Sequence, residues 1–221
     1  MVIMETPQPL PPPDPDTFRQ VLGDAGLVSI IRCADAGFAL PIGRTLIAHG
    51  VRLLEVTLTT PDATEAIATL SAEAPEGVWV GAGTVITAAD VVRASEAGAT
   101  FVVTPGLCPA IAAATSVHLP SLGGAWTASE VIAADAAGAS AVKIFPASSG
   151  GPGHFKALRD PLPHIPLVAV GGVGLAEIPQ YRQVGAVGFG IGGPLVGDAA
   201  RGGSLDDLAT RAREFVQACR A

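Results

Sequence analysis

The sequence predicts a single-domain (β/α)8 barrel, the TIM-barrel class of α/β fold. Short apolar runs alternate with alanine-rich helical segments, which indicates a parallel sheet because every parallel step needs a crossover. The apolar runs are nearly continuous, as expected of strands that are covered on both faces. Eight such units fall within roughly 200 residues, which fits a closed barrel better than an open doubly wound sheet.

The predicted strands share this apolar composition. They are residues 27–33, 52–58, 78–84, 100–104, 116–122, 140–145, 166–170 and 186–192. Helices are predicted to begin near Thr87, Thr127 and Pro61–Asp62, and to end at Gly98, Gly138 and Gly185.

Residues 1–13 are expected to form a proline-rich arm ahead of the barrel at 14–221. The arm lacks the basic start, apolar stretch and small-residue cleavage site of a secretory signal. Two alternatives stay open for it: disorder, or packing on the barrel or on a neighbouring subunit.

Composition argues against several functions. The net charge is −7, there is no basic run, and aromatic residues make up only 5%, so nucleic-acid binding is not expected. Glycine, proline and charged residues interrupt every apolar run well short of about 18 residues, which argues against a membrane span.

Cysteine and histidine spacing also argues against metal or disulfide chemistry. The three cysteines, Cys33, Cys108 and Cys219, are odd in number and far apart, which favours a reducing cytoplasm. The four histidines are scattered along the chain. We therefore expect no metal and no other cofactor.

In a barrel of this class the active site lies at the C-terminal ends of the strands. Polar residues and glycines near those ends are the candidates. They are Arg32, Glu55, Thr84, Thr104, Lys143, Gly171–Gly172 and Gly192–Gly193.

Lys143 lies inside an apolar strand, AVKIF, which is unusual for a lysine. A free lysine has a pKa of about 10.4, and an apolar wall lowers that pKa and leaves a nucleophilic amine that forms imines with ketones. Alternatively, the side chain reaches out to solvent or pairs with a carboxylate.

Glu55 in RLLEVTL is the candidate general acid and base. Burial of a lone carboxylate is costly, so a structural ion pair with Lys143 or Arg32 is the alternative. A charged Glu55 would favour the ammonium form of Lys143, and the sequence leaves their protonation open.

The glycine pairs after strands 7 and 8 indicate a phosphate site. Barrel enzymes frequently bind phosphate there, where bare N–H groups and a nearby helix N-terminus favour an anion. Ordinary tight turns are the alternative. Thr84 and Arg32 are candidates to bind a carboxylate, although a strand-end turn or a salt bridge between Arg32 and Glu55 would leave the same pattern.

The ordered motifs LEVTL, GAGTV, VTPG, VKIFPAS, VGGV and IGG resemble the 2-keto-3-deoxy-6-phosphogluconate / 4-hydroxy-2-oxoglutarate aldolases, from about residue 20 to 219. The resemblance implies a metal-free class I aldolase, usually trimeric, that acts on a small phosphorylated keto-deoxy sugar acid. It implies that Lys143 forms the Schiff base and that Glu55 is the acid/base. It also implies that Thr84 holds the pyruvyl carboxylate, and that Phe145 lines the pyruvyl pocket. The resemblance further implies that Gly171, Gly172, Gly192 and Gly193 hold the substrate phosphate.

KIFPASSGGPGHFKAL followed by AVGGV is similar to the phosphogalactonate branch of that family. Val170 stands where the phosphogluconate branch usually has threonine, and Thr59 where it usually has arginine, so Arg32 is expected to bind the carboxylate. Thr59 also departs from the asparagine expected in the galactonate branch. Two further departures are Gly193–Pro194, where a serine often follows the late glycines, and SLGGAWT, where a Pro-Gly start to the fifth loop is common. The expected reaction is cleavage of 2-keto-3-deoxy-6-phosphogalactonate to pyruvate and D-glyceraldehyde 3-phosphate.

Three alternatives to this reaction stay open. In the first, the main substrate is the gluconate epimer or 4-hydroxy-2-oxoglutarate. In the second, the chain is a metal-free isomerase or synthase with the same phosphate loops. In the third, the barrel binds a phosphorylated ligand without catalysis.

Overall fold

A computed structural model describes residues 14–220 of the chain. The predicted arm at residues 1–13 lies outside the described residues, as does Ala221. Among the described helices, none has both the length and the apolar character needed to cross a bilayer.

Eight parallel strands close into a barrel in the order in which they occur along the chain, as the sequence predicts. They are β1 Leu27–Ile31, β2 Leu53–Thr57, β3 Trp79–Gly83, β4 Val102–Val103, β5 Ser121–Ala125, β6 Ala141–Ile144, β7 Leu167–Val170 and β8 Gly188–Ile191.

Helices cover the outside of the barrel. They are α1 Pro15–Ala25, α2 Ala39–Ala48, α3 Ala63–Glu73, α4 Ala88–Glu96, α5 Ala110–Ser116, α6 Ala128–Ala136, α7 Ala147–Arg159, α8 Ile178–Gln183, α9 Gly193–Val196 and α10 Leu205–Cys219. Two short 3-10 helices are added at Ala36–Phe38 and Gly197–Arg201.

Local sequence accounts for the predicted helix starts. Thr87 and Thr127 each form a capping box with the acidic residue three positions on, which satisfies free N–H groups at the starts of α4 and α6. Asp62 precedes α3 in a left-handed conformation and makes no side-chain cap.

The bounds predicted for the fifth strand, 116–122, were wrong. α5 runs to Ser116, His118 turns the chain with a φ of 56°, and β5 begins only at Ser121. The two glycines of SLGGAWT therefore lie in the strand and not in the loop. At Gly124 the backbone of Pro105 and Gly106 occupies the space that a Cβ would need, so a glycine is required despite its low strand propensity.

The core has two layers. One fills the barrel, and Phe18 of α1 closes its N-terminal end against Trp79 and Phe101, with ring centroids 5.6 and 5.2 Å apart. The other lies between strands and helices. Aromatic rings fill the N-terminal end of the barrel, whereas the candidate site residues lie at its C-terminal end.

Candidate active site

Strand alternation places Glu55 and Lys143 inside the barrel. Leu53 and Ala141 belong to the interior core layer, and the residues two positions further along each strand face the same side. Glu55 and Lys143 therefore lie one layer closer to the C-terminal mouth. On the next strand, the absence of a side chain at Gly83 leaves room for the Glu55 carboxylate.

Glu55 is a buried carboxyl group, only 2% exposed. Its Oε2 atom has no hydrogen-bond partner among the described residues. Burial raises its pKa to about 7, opposed by the positive charges of Lys143 and Arg32. At neutral pH this group is therefore near the midpoint of its titration, as a group that both gives and takes protons should be.

Lys143 is likewise buried, at 7% exposed, and burial lowers its pKa below the ordinary value, opposed by Glu55 and assisted by Arg32. Its Nζ lies 4.9 Å from the centroid of the Phe145 ring. Among the described residues it has no carboxylate within 4.0 Å. Lys143 therefore neither pairs with a described carboxylate nor extends into solvent, which were the two alternatives for this residue.

Arg32 follows β1 at the mouth and is exposed. It forms no ion pair with Glu55 or any other described carboxylate. Its Nη1 donates to the Thr59 hydroxyl at 3.2 Å and its Nη2 to the Thr84 hydroxyl at 3.2 Å. Thr84 itself has a φ of 57°, a left-handed conformation that is uncommon for a non-glycine residue.

The glycines after β7 have the conformation that only glycine adopts without strain. Gly171 and Gly172 have φ values of 92° and 72°. The Phe145 ring lies where a Gly171 side chain would be, and Ser148 lies where a Gly172 side chain would be. The Gly172 N–H donates to no other described residue. This leaves a bare N–H group at the mouth.

The glycines after β8 lie beside the first pair because β7 and β8 are neighbouring strands, with Val170 opposite Gly190. Gly193 has open space where a Cβ would be. It begins α9, which has only four residues, and α8 does not begin until Ile178. The helix-dipole contribution that the sequence suggested is therefore small, and any anion here would depend on the glycine N–H groups.

Val170 is buried at the end of β7 and belongs to the interior layer. Its side chain fills the space left by Gly190 on β8. It thus faces the interior one position before the glycine pair.

Thr104 is close to the mouth, but its contacts are structural. Its hydroxyl donates to the Gly106 carbonyl and accepts from the Gly124 N–H, both at 2.8 Å. The side chain thereby pins the loop after β4 onto β5.

Two residues that the sequence analysis passed over lie behind Arg32. Thr57 and Thr60 are buried, and their hydroxyls connect to that of Thr59. The threonines of LEVTLTT were a visible signal for this cluster. Within residues 14–220, no group of three metal-ligating side chains is placed to hold an ion.

The chain is similar in sequence to known proteins. Residues 18–209 match the family model described as KDPG and KHG aldolase. The chain is 37% identical to a probable 2-dehydro-3-deoxy-6-phosphogalactonate aldolase of Rhizobium meliloti, over 76% of this chain and 81% of that one.

Solved structures are similar as well. A structure described as native KDPGal superposes with a TM-score of 0.81 at 32% identity, covering 87% of this chain and 93% of that one. A KDPG aldolase from Legionella pneumophila, with pyruvate captured as a covalent carbinolamine, gives a TM-score of 0.74 at 26% identity, covering 91% and 96%.

Proposed function

This chain belongs to the KDPG and KHG aldolase family, a family of carbon–carbon lyases, and on that premise we propose that it cleaves 2-keto-3-deoxy-6-phosphogalactonate. The products are pyruvate and D-glyceraldehyde 3-phosphate, and the reaction proceeds through a Schiff base on Lys143. The observation that carries the proposal is a buried amine and a buried carboxyl group in one barrel, with no ion pair between them.

The protonation of this pair suits imine chemistry. Burial lowers the pKa of Lys143 and raises that of Glu55 to about 7. Both shifts favour the uncharged forms, an amine and a carboxylic acid. The charged form of each group opposes the pKa shift of the other, because the two groups share one barrel interior.

The Lys143 amine attacks the keto carbon to give a carbinolamine. The Glu55 carboxylic acid then gives its proton to the departing hydroxyl group, so that loss of water leaves a protonated imine and the Glu55 carboxylate. Glu55, directly or through a water molecule, takes the proton from the hydroxyl two carbons further along the chain. The bond between this hydroxyl-bearing carbon and the carbon next to the imine carbon breaks, which releases the aldehyde, and its electron pair moves into the protonated imine. The resulting enamine is reprotonated, and hydrolysis releases pyruvate and restores the amine. Acid/base assistance of this kind is worth about 10²–10⁴-fold in rate.

The two ends of the substrate are held by different parts of the mouth. The carboxylate is assigned to Arg32 and Thr84, which already share a hydrogen bond. Phe145 lines the pocket next to the reacting amine. The phosphate is assigned to the backbone at Gly171, Gly172, Gly192 and Gly193, which carries no side chains of its own and has positive φ values at the first two positions.

Two observations support the galactonate epimer. A relative of this chain is named as a probable phosphogalactonate aldolase. Val170 is apolar and faces the barrel interior before the phosphate glycines, so it offers no hydroxyl to the C4 position, where the two epimers differ. The gluconate epimer and 4-hydroxy-2-oxoglutarate are the competing substrates within the same reaction.

We further propose a homotrimer in the cytoplasm. The family resemblance supports the trimer, and the three free cysteines of the described residues support a reducing compartment. Light scattering on the purified protein would give the subunit number. A monomer would contradict the trimer without affecting the reaction.

The deciding experiment measures pyruvate release from synthetic phosphogalactonate and phosphogluconate substrates side by side. We expect release from both, with the larger kcat/KM for the galactonate epimer. A larger value for the gluconate epimer would reassign the substrate. No release from either, with no borohydride-trapped pyruvate adduct, would instead support an isomerase, a synthase or a binding protein.

A further inference from the structure

We propose that Thr59 is a further substrate-binding residue, whose hydroxyl donates to the substrate carboxylate beside Arg32 and Thr84. The buried hydroxyls of Thr57 and Thr60 hold it in that orientation. This inference rests on the proposed function, since it concerns the carboxylate end of the same substrate.

The first step is the contact with Arg32. A guanidinium group has donors and no acceptor, so Thr59 and Thr84 both accept from it, at 3.2 Å each. Each threonine hydroxyl carries one proton of its own, and that proton must point elsewhere. For Thr84, no other acceptor is present among the described residues.

The second step concerns the chain of hydroxyls behind Thr59. The Thr57 oxygen lies 3.1 Å from the Thr59 oxygen and 3.2 Å from the Thr60 oxygen. The Thr60 oxygen also accepts from the Cys33 N–H at 3.2 Å. Three hydroxyls in a row donate either towards Thr59 or towards Thr60. The remaining arrangement, in which Thr57 accepts from both neighbours, leaves the buried Thr57 proton without an acceptor among the described residues.

The two directions differ in where they leave the last proton. If donation runs from Thr59 to Thr57 to Thr60, the final proton is left on Thr60, which is buried and has no further acceptor among the described residues. A buried donor without a partner is costly. If donation runs from Thr60 to Thr57 to Thr59, the final proton is on Thr59, which is exposed at the mouth.

The second direction is therefore favoured, and it has a consequence for binding. Thr59 accepts from Thr57 and from Arg32, which uses both lone pairs of its oxygen and leaves its O–H free. An anion placed against Arg32 then meets the guanidinium flanked by two hydroxyl protons, those of Thr59 and Thr84. Hydrogen bonds to a carboxylate are among the stronger ones in proteins.

The test uses borohydride trapping of pyruvate with Thr59→Val and Thr59→Ser. Valine keeps the shape and removes the hydroxyl, whereas serine keeps the hydroxyl. We expect Thr59→Val to raise the pyruvate concentration for half-maximal trapping about tenfold at an unchanged limiting rate. Thr59→Ser should stay within about twofold of the wild type. Equal half-maximal concentrations for the wild type and Thr59→Val would overturn the proposal.

Two controls separate binding from a general structural effect. Acetone is a ketone without a carboxylate, so its trapping rate should be the same in the wild type and Thr59→Val; a loss with acetone would contradict carboxylate binding. Thr57→Val should weaken pyruvate binding only when Thr59 is present, and full additivity of the two substitutions would contradict the hydroxyl chain. If the wild type itself traps no pyruvate, the proposed function fails, which is a different result from an unaffected Thr59→Val.

Discussion

The Glu55 carboxylate on β2 lies against the bare Cα of Gly83 on β3, so that a Cβ at Gly83 would come within 2.7 Å of the Glu55 carboxyl carbon. The two residues are close because β2 and β3 are paired in the barrel, with Thr57 opposite Gly83. The absence of a side chain at Gly83 thus provides the space that the Glu55 carboxyl group on the neighbouring strand occupies.

Gly83→Ala should displace this carboxyl group. The added methyl group forces the Glu55 side chain to move or the strands to separate, and overpacking of this kind costs about 1–3 kcal/mol of stability. We expect kcat to fall at least about tenfold, because the proton acceptor is no longer in place. Steady-state kinetics and urea unfolding check both effects. Gly23→Ala on α1, where a Cβ meets nothing within 4 Å, is the control.

Lys143 and Lys156 are the two lysines of the chain, which makes the nucleophile easy to assign. Lys143→Met should lower kcat more than about 10³-fold, as removal of a nucleophile does, and should abolish the borohydride adduct with pyruvate. Lys156→Arg should be active, since Lys156 is exposed and pairs with Asp160. Peptide mass mapping of the adduct to Lys156 would refute the mechanism.

Glu55 should also leave a signature in the pH dependence of stability. Burial raises its pKa from the ordinary value of 4.5 to about 7 in the folded protein, so the unfolded chain loses this proton first as pH rises. The contribution of Glu55 to the free energy of unfolding is fully present below pH 4.5. It is lost as the pH rises from 4.5 to 7, and the loss amounts to about 3 kcal/mol.

Glu55→Gln removes this titration. Urea unfolding at pH 5 and pH 8 should therefore show a smaller loss of stability at pH 8 in Glu55→Gln than in the wild type. Glu214→Gln on α10, an exposed position, should follow the wild type. Identical profiles for the wild type and Glu55→Gln would show that the carboxyl group is not held at a raised pKa.

Gly172→Ala should affect the phosphate end of the substrate alone. Its φ of 72° is unfavourable for alanine, and the new Cβ would lie 2.5 Å from that of Ser148. We expect KM for the phosphorylated substrate to rise about tenfold or more, while pyruvate trapping is unchanged.

Gly153→Ala is the matched control, since a Cβ there meets nothing within 4 Å. An unchanged KM in Gly172→Ala would remove this glycine from the phosphate site.

Val170→Thr should shift the choice between epimers. The two side chains have nearly the same shape, and the new hydroxyl can hydrogen-bond near C4, so we expect the ratio of kcat/KM for gluconate over galactonate to rise about tenfold. Pyruvate release from both substrates measures that ratio. Val168→Thr, deeper in the same strand, should cost stability without changing the ratio.

Much of this protein was readable from the sequence. The alternation of apolar runs with helical segments predicted the closed barrel, because strand and helix periodicity are local properties. The rule for barrel mouths then placed Lys143, Glu55, Thr84 and the glycine pairs at one end. The fifth strand was placed too early in the chain, because α5 extends to Ser116 and because Gly123 and Gly124, which have low strand propensity, belong to the strand.

Tertiary structure decided the rest. Whether Lys143 and Glu55 form an ion pair, how deeply each is buried, and whether Arg32 contacts Glu55 or two threonine hydroxyls depend on distances across the barrel. Those distances join residues that are as many as 88 positions apart in the chain, as 55 and 143 are. Burial sets the pKa of an ionisable group, and burial exists only once all eight strands have closed. The sequence determined which residues reach the mouth, and the closed barrel determined their charge and their partners.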